Sequence, residues 1–336
     1  FAKAMAETRA EVQAVIDNPA APTFENTHVP MMLAGDTADR LFALWGVQSS
    51  NKSNDRVEAI DAEWSPKIST FYTELFLQPK LFARYKAVYD ARTTSGLNAQ
   101  QIRIVERSYE EMVRDGANLS PADKTRLVAM NARLEGLFSA FSSKLLGDEK
   151  LYTFVTDKAE LAGLEPGFVA SLAAAAEANG KPGQWAIKNT RSSASPVLQN
   201  ATNRSLRERV YKAFVSRGDN GDANDTNATI AEILKLRQQR AELLGFATHA
   251  NYRMADTMAK TPANAMGLMM KVWPAAVARV KEEVADMQAI ADADAKAGKG
   301  PKLTIEPWDY RFYAEKVRKQ KYDLDESEVK PYLQLD

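Results

Sequence analysis

Apolar residues recur at helical spacing through most of this chain, and the gaps between the runs fall at Asn, Pro and Gly. Residues 2–17 alternate Ala, Met, Val and Ile with Glu, Arg and Gln until Asn18-Pro19-Ala20-Ala21-Pro22 breaks the run. Thr23-Phe24-Glu25-Asn26-Thr27 leads into a second helix carrying Leu33, Ala34, Leu41, Leu44 and Val47 on one side. A third spans about 55–77, with Val57, Ile60, Trp64, Ile68, Phe71, Leu75 and Phe76 as its apolar positions, and a shorter one follows Gln78-Pro79 over 81–91. Asn98 can cap a helix that ends at Asp115-Gly116. Ser120-Pro121-Ala122-Asp123 starts the next, over 121–147, by placing a cap, a first-turn Pro and a first-turn acid in order.

The texture changes from 151 to 200. Leu151–Val155 and Gln184–Ile187 have the β-branched and aromatic content of strands, and the alanine-rich stretch 172–179 between them reads as a helix closed by Gly180. Helices resume at 203–217, 223–244, 248–256 and 262–294, and an aromatic helix begins at Pro307-Trp308. A turn and the start of another helix follow it. The pattern predicts a mainly α fold divided as a helical domain over 1–150, a small αβ insert over 151–200 and a helical region over 201–336.

Composition narrows the function classes. Of 336 residues, 45% are apolar and 26% charged, which suits a globular chain rather than a disordered one. Lys+Arg and Asp+Glu balance at 44 each, so nothing suggests a nucleic-acid or polybasic membrane footprint. No cysteine is present, which excludes disulfides, thiolate nucleophiles and Cys-based metal sites. No apolar run reaches the roughly 18 residues of a membrane span. The chain opens inside a helical pattern with no initiator Met, and both ends read as cut edges of a longer polypeptide.

Candidate chemistry is sparse. The two histidines, His28 and His249, are far apart, and neither opens an H-E-x-x-H motif, so core-edge or partly exposed histidines are expected rather than metal ligands. No G-x-S-x-G elbow or phosphate loop appears. The loop from Gly218 to Thr226 is rich in Asp and Asn. With Asp219 as position 1, however, position 12 is Ile230 instead of the Glu of a calcium loop, so a helix–helix loop with Asn224 or Asp225 as a cap is expected. Trp308, Tyr310, Phe312 and Tyr313 could form a ligand platform, but their spacing favours core. Arg204, Arg207 and Arg209 could grip a carboxylate; a solvated face with weak ion pairs is the expectation. No catalytic, cofactor-binding or metal-ligating residue is assigned.

Several short segments share one family's order: Pro22–Thr27; Asn220–Thr226; Leu236-Arg237; Leu243-Leu244-Gly245-Phe246; Met258–Pro262; Trp308–Glu315; Asp323–Glu326; and Lys330-Pro331-Tyr332. Together they resemble the M3 zinc metallopeptidases, the thimet oligopeptidase family, and within it the bacterial peptidyl-dipeptidases or dipeptidyl carboxypeptidases. The resemblance covers essentially the whole chain. It implies a helical ellipsoid split by a deep channel for short peptides. It also implies a zinc held by an H-E-x-x-H helix and a further Glu, with the motif Glu as general base, and release of dipeptides from free peptide C-termini. None of those catalytic residues has a counterpart here. The expectation is therefore the N-terminal, channel-wall portion of such an enzyme, inactive alone, with zinc bound outside this chain. Its partners would be oligopeptides and its own C-terminal catalytic half, and bacterial cytoplasm and periplasm both stay open. A non-catalytic helical scaffold and a non-metal hydrolase are the rival readings.

Overall fold

The computed structural model describes residues 1–322 and Tyr332. The segments Asp323–Glu326 and Lys330-Pro331, with the helix expected to start there, lie outside the described residues. The described chain is mainly α-helical with one two-stranded antiparallel sheet, as the periodicity predicts. It forms two compact units, one of residues 1–143 with 228–262 and the other of 144–227 with 263–336.

The first unit opens with α1 (Ala2–Ile16), followed by a single π-turn over Phe24–His28. That turn follows from local chemistry. Thr23 N–H donates to Asn26 Oδ1 at 2.8 Å and Asn26 N–H donates to Thr23 Oγ1 at 3.2 Å, a reciprocal capping box. The buried Arg84 then fastens the turn, donating to the Asn18 carbonyl at 2.9 Å, Asn26 Oδ1 at 3.0 Å and Thr27 Oγ1 at 3.2 Å. The Pro22–Thr27 signature is thus a folding device.

The second expected helix is two: α2 (Val29–Leu33) and α3 (Asp36–Asn51). Gly35 separates them at φ 90°, a conformation that a side chain strains. Leu33, Leu44 and Val47 are exposed, so the expected apolar side does not form. Next come α4 (Asp55–Phe76), α5 (Pro79–Ala91), α6 (Ala99–Arg114) and α7 (Pro121–Glu149). Val12, Val15, Phe71, Leu75, Leu81 and Leu127 form the main core of the unit. Two later helices that open at residues 227 and 249 are described below.

In the second unit, β1 (Tyr152–Val155) pairs with β2 (Trp185–Lys188), Tyr152 opposite Lys188 and Val155 opposite Trp185. α8 (Pro166–Ala178) lies between them in sequence. α9 (Arg191–Asn200) escapes the periodicity because its Ser-rich sequence contains Pro196. Packing supplies what propensity lacks, since Ala194, Val197 and Leu198 are buried with Leu206, Val210, Val155 and Ile187. α10 (Arg204–Val215) follows.

α11 (Asn227–Leu243), α12 (His249–Met254), α13 (Pro262–Lys296) and α14 (Pro307–Tyr322) complete the described helices. Met287 and Ala291 of α13 are buried with Tyr313 of α14. Earlier in α13, Met266, Met269, Met270 and Trp273 recur at helical spacing yet are 50–63% exposed. A contiguous apolar stripe of this kind is a docking or aggregation surface on an otherwise polar protein. The purified chain is expected to self-associate and to bind an apolar-sensitive dye, and Met269→Glu with Trp273→Glu to reduce both. A monodisperse monomer in light scattering, with no dye signal, would contradict this.

Candidate functional site

The residues singled out by their chemistry fall in four places. The aromatic segment is α14. Tyr313 is buried, and Trp308 lies 6.3 Å from the Tyr211 ring in an edge-on arrangement. These rings pack in the second unit, as their spacing predicts.

The arginines of α10 correct the expectation of a solvated face. Arg207 is 2% exposed and Asp309, on α14, is fully buried. Arg207 Nη2 donates to Asp309 Oδ1 at 2.8 Å, and Arg204 donates through Nε and Nη2 at 3.1 and 2.8 Å. The Arg207 guanidinium also sits 4.2 Å from the Phe312 ring centre. Burial pushes the Asp309 carboxyl up, but the two arginines outweigh it and hold it below the usual carboxylate range. Arg209 alone behaves as expected, pairing with Glu160 at 2.9 Å while partly exposed. The group does grip a carboxylate, one supplied by the chain itself.

The Asp- and Asn-rich loop closes on its own groups and on Asp148. The buried Asp148 carboxylate accepts from Gly218 N at 2.7 Å, Asn220 Nδ2 at 3.1 Å and Asn224 Nδ2 at 2.8 Å. Asp225 Oδ1 accepts the N–H of Asn227, the first residue of α11, at 2.9 Å. Gly218 has φ 74°, and a Cβ there would meet Leu145 Cδ2 and Thr226 Oγ1, each at 2.9 Å. Asp148 carried no signal in the sequence, because it sits at the end of a long helical run as an ordinary polar residue.

His28 is not at a core edge but within the core. It is 1% exposed and lies 5.6 Å from the Phe24 ring and 4.5 Å from the Tyr85 ring. Neither ring nitrogen has a hydrogen-bond partner, and burial drops its pKa to about 4. His249 is half-buried. Burial, then the neighbouring Arg237, Arg240 and Arg253, lower its pKa. Arg237 and Arg240 lie three residues apart on α11, a spacing that puts both on one helix face. That spacing was the available signal for a basic cluster around His249.

A zinc site needs at least three convergent protein ligands. Among the described residues no group of three or more His, Asp or Glu side chains is placed to hold a metal ion. One histidine is enclosed by aromatic rings and the other is surrounded by guanidinium groups, so the residues present do not fit a zinc site.

The described residues form a mainly helical chain with one small two-stranded antiparallel sheet. Residues 197–336 match Peptidase family M3. The chain is 35% identical over 336 residues to Dipeptidyl carboxypeptidase of Escherichia coli (strain K12), an alignment that takes in 100% of this chain and 49% of that protein. It is 32% identical over 307 residues to Probable cytosolic oligopeptidase A of Arabidopsis thaliana, covering 88% of this chain and 43% of the relative. To Oligopeptidase A of Salmonella typhimurium it is 28% identical over 336 residues, covering 98% and 48%. The chain spans about half the length of the curated relatives it matches. No helix among the described residues is long and apolar enough to cross a membrane.

Proposed function

We propose that this chain is the channel-wall portion of a zinc-dependent peptidyl-dipeptidase that removes dipeptides from the C-termini of oligopeptides. The observation that carries this reading is the end-to-end match to a dipeptidyl carboxypeptidase at 35% identity, over 49% of that relative's length. Zinc, its ligands and the general base belong to the polypeptide that completes the enzyme. The residues described here supply shape: the capped turn at Phe24–His28, the Asp148 loop and the Asp309 pair hold helices in fixed places. The exposed stripe on α13 is the surface we assign to packing against the completing part. Both remaining domain boundaries, at 150 and 200, are retained as proposals for where the helical and αβ parts divide.

The test is activity with and without that partner. The purified chain with added zinc is expected to release no dipeptide from an N-blocked tetrapeptide. Co-expression with a segment bearing H-E-x-x-H from a family relative is expected to restore release, and Trp273→Glu to weaken the restoration. Dipeptide release by the chain alone overturns the proposed division of labour.

A further inference from the structure

Ser108, Glu111, Met112 and Asp115 recur at the spacing of one helix face along α6 and its C-terminal end, and all four line a cavity of about 330 Å³. Phe76, Leu77 and Tyr85 supply the rest of its wall. Among the described residues no Lys, Arg or His lines it. Two carboxylates therefore share a small space with apolar side chains.

Those carboxylates are short of donors. Glu111 makes no hydrogen bond to a described residue, and Arg114 stands 3.6 Å from its Oε1. Asp115 accepts the Tyr252 hydroxyl at 3.3 Å, with Arg114 4.0 Å away. Arg114 does not line the cavity, and its Nη1 is engaged by Asp256 at 3.0 Å. Like charges four residues apart on a helix repel, and the C-terminal end of the helix is already negative. Burial raises the Asp115 carboxyl, Arg114 opposes the rise and Glu111 adds to it, so a net rise remains.

Tyr85 points to a ligand independently of the acids. It is 8% exposed, and its ring lies 4.5 Å from that of His28. Its hydroxyl makes no hydrogen bond to a described residue and is not sealed off by protein. Burial alone pushes its pKa up to about 12. A buried tyrosine usually finds a partner for its hydroxyl, and the cavity is the space from which one can reach it.

We propose that this cavity binds a primary ammonium group carried on a small apolar body. An ammonium brings three N–H donors. Glu111, Asp115 and the Tyr85 hydroxyl offer three acceptors around one space. Hydrogen bonds between an ammonium and a carboxylate are about twice as strong as neutral ones. Phe76, Leu77 and Met112 take the apolar body. The site lies wholly within the first unit and needs neither a metal nor the peptidase reaction.

Titration calorimetry of the full 336-residue chain near pH 7 tests it, with phenethylamine as the probe. N-acetylphenethylamine, which lacks the charge, and ethylamine, which lacks the apolar body, are the controls. Phenethylamine is expected to bind, the acetylated form not to bind, and ethylamine to bind more weakly. Glu111 accepts no hydrogen bond in the fold, so Glu111→Gln keeps the structure and is expected to weaken phenethylamine about ten-fold. Asp115→Asn is expected to do the same. Tyr85→Phe removes only the hydroxyl and is expected to weaken binding about three-fold with the urea midpoint unchanged. No binding of phenethylamine, equal binding of its acetylated form, or unchanged affinity in Glu111→Gln overturns the site. Ethylamine binding as tightly as phenethylamine overturns the role of the apolar wall.

Discussion

Replacing Asp309 with alanine is expected to destabilise the second unit by about 3–5 kcal/mol, because removing one partner of a buried ion pair strands the other. Arg207 is the stranded group: it is 2% exposed, and its remaining hydrogen bonds go to the Ala201 and Thr202 carbonyls at 2.8 and 3.2 Å. Those carbonyls cannot neutralise its charge. Asp309 also accepts from Glu306 N at 3.2 Å, so the start of α14 loses a tie at the same time. Asp309→Asn keeps the shape and lacks the charge, and is expected to fall between wild type and alanine. Combining Asp309→Ala with Arg207→Met removes both charges and is expected to recover part of the loss. Trp308 fluorescence reports on the right place, since Trp308 sits 5.5 Å from the Arg204 guanidinium. A loss below about 1 kcal/mol on urea unfolding, the range of exposed pairs, would show that Asp309 is not the tie proposed here. The pair is also acid-sensitive. The folded-state carboxyl lies below its ordinary value, so its contribution is complete above the unfolded pKa and disappears as pH falls through the folded one.

His28 gives the second large effect, again in acid. Its pKa in the folded chain is about 4 against an ordinary 6.5. Between those values the unfolded chain binds the proton and the folded chain does not, so stability rises with pH across that window. The contribution is complete above pH 6.5 and is lost as pH falls toward 4, a total of about 3 kcal/mol. His28→Phe keeps a ring between Phe24 and Tyr85 and removes the titrating group. Urea midpoints at pH 7 and pH 4.5 are expected to converge in that variant and to separate in the wild type. Identical pH dependence in both proteins would assign the acid sensitivity elsewhere. The capped turn around His28 makes the first unit the place to look, by hydrogen exchange at Thr27 and His28.

The differences between pattern and structure share one cause. α4 through α7 were legible because each carries a cap or a Pro start, and their apolar faces are long enough to outvote local noise. α9 was not, because a Ser-rich segment with Pro196 forms a helix only where Ala194, Val197 and Leu198 are enclosed by other elements. The α2–α3 break was hidden in a run that looked continuous, since one glycine at positive φ leaves no periodic mark. The charged groups were harder still. Arg207 reads as one of three similar arginines along a helix, and only α14 lying across it separates the buried one from its exposed neighbour Arg209. His249 was visible as a residue, but its character comes from Arg237, Arg240 and Arg253, which two different helices bring to it.

The sequence by itself determined the mainly α class, the place of the two short strands between 151 and 188 and, through the order of its short motifs, the likeness to Peptidase family M3. Each of these depends on local periodicity, capping and turn chemistry, which neighbouring residues decide among themselves. Only the tertiary structure decided which polar groups are buried and paired. Asp309 joins Arg204 and Arg207 across about 100 residues, and Asp148 holds a loop about 70 residues away. The energy of a charge depends on what surrounds it in space, and that surrounding is assembled by segments far apart in the chain.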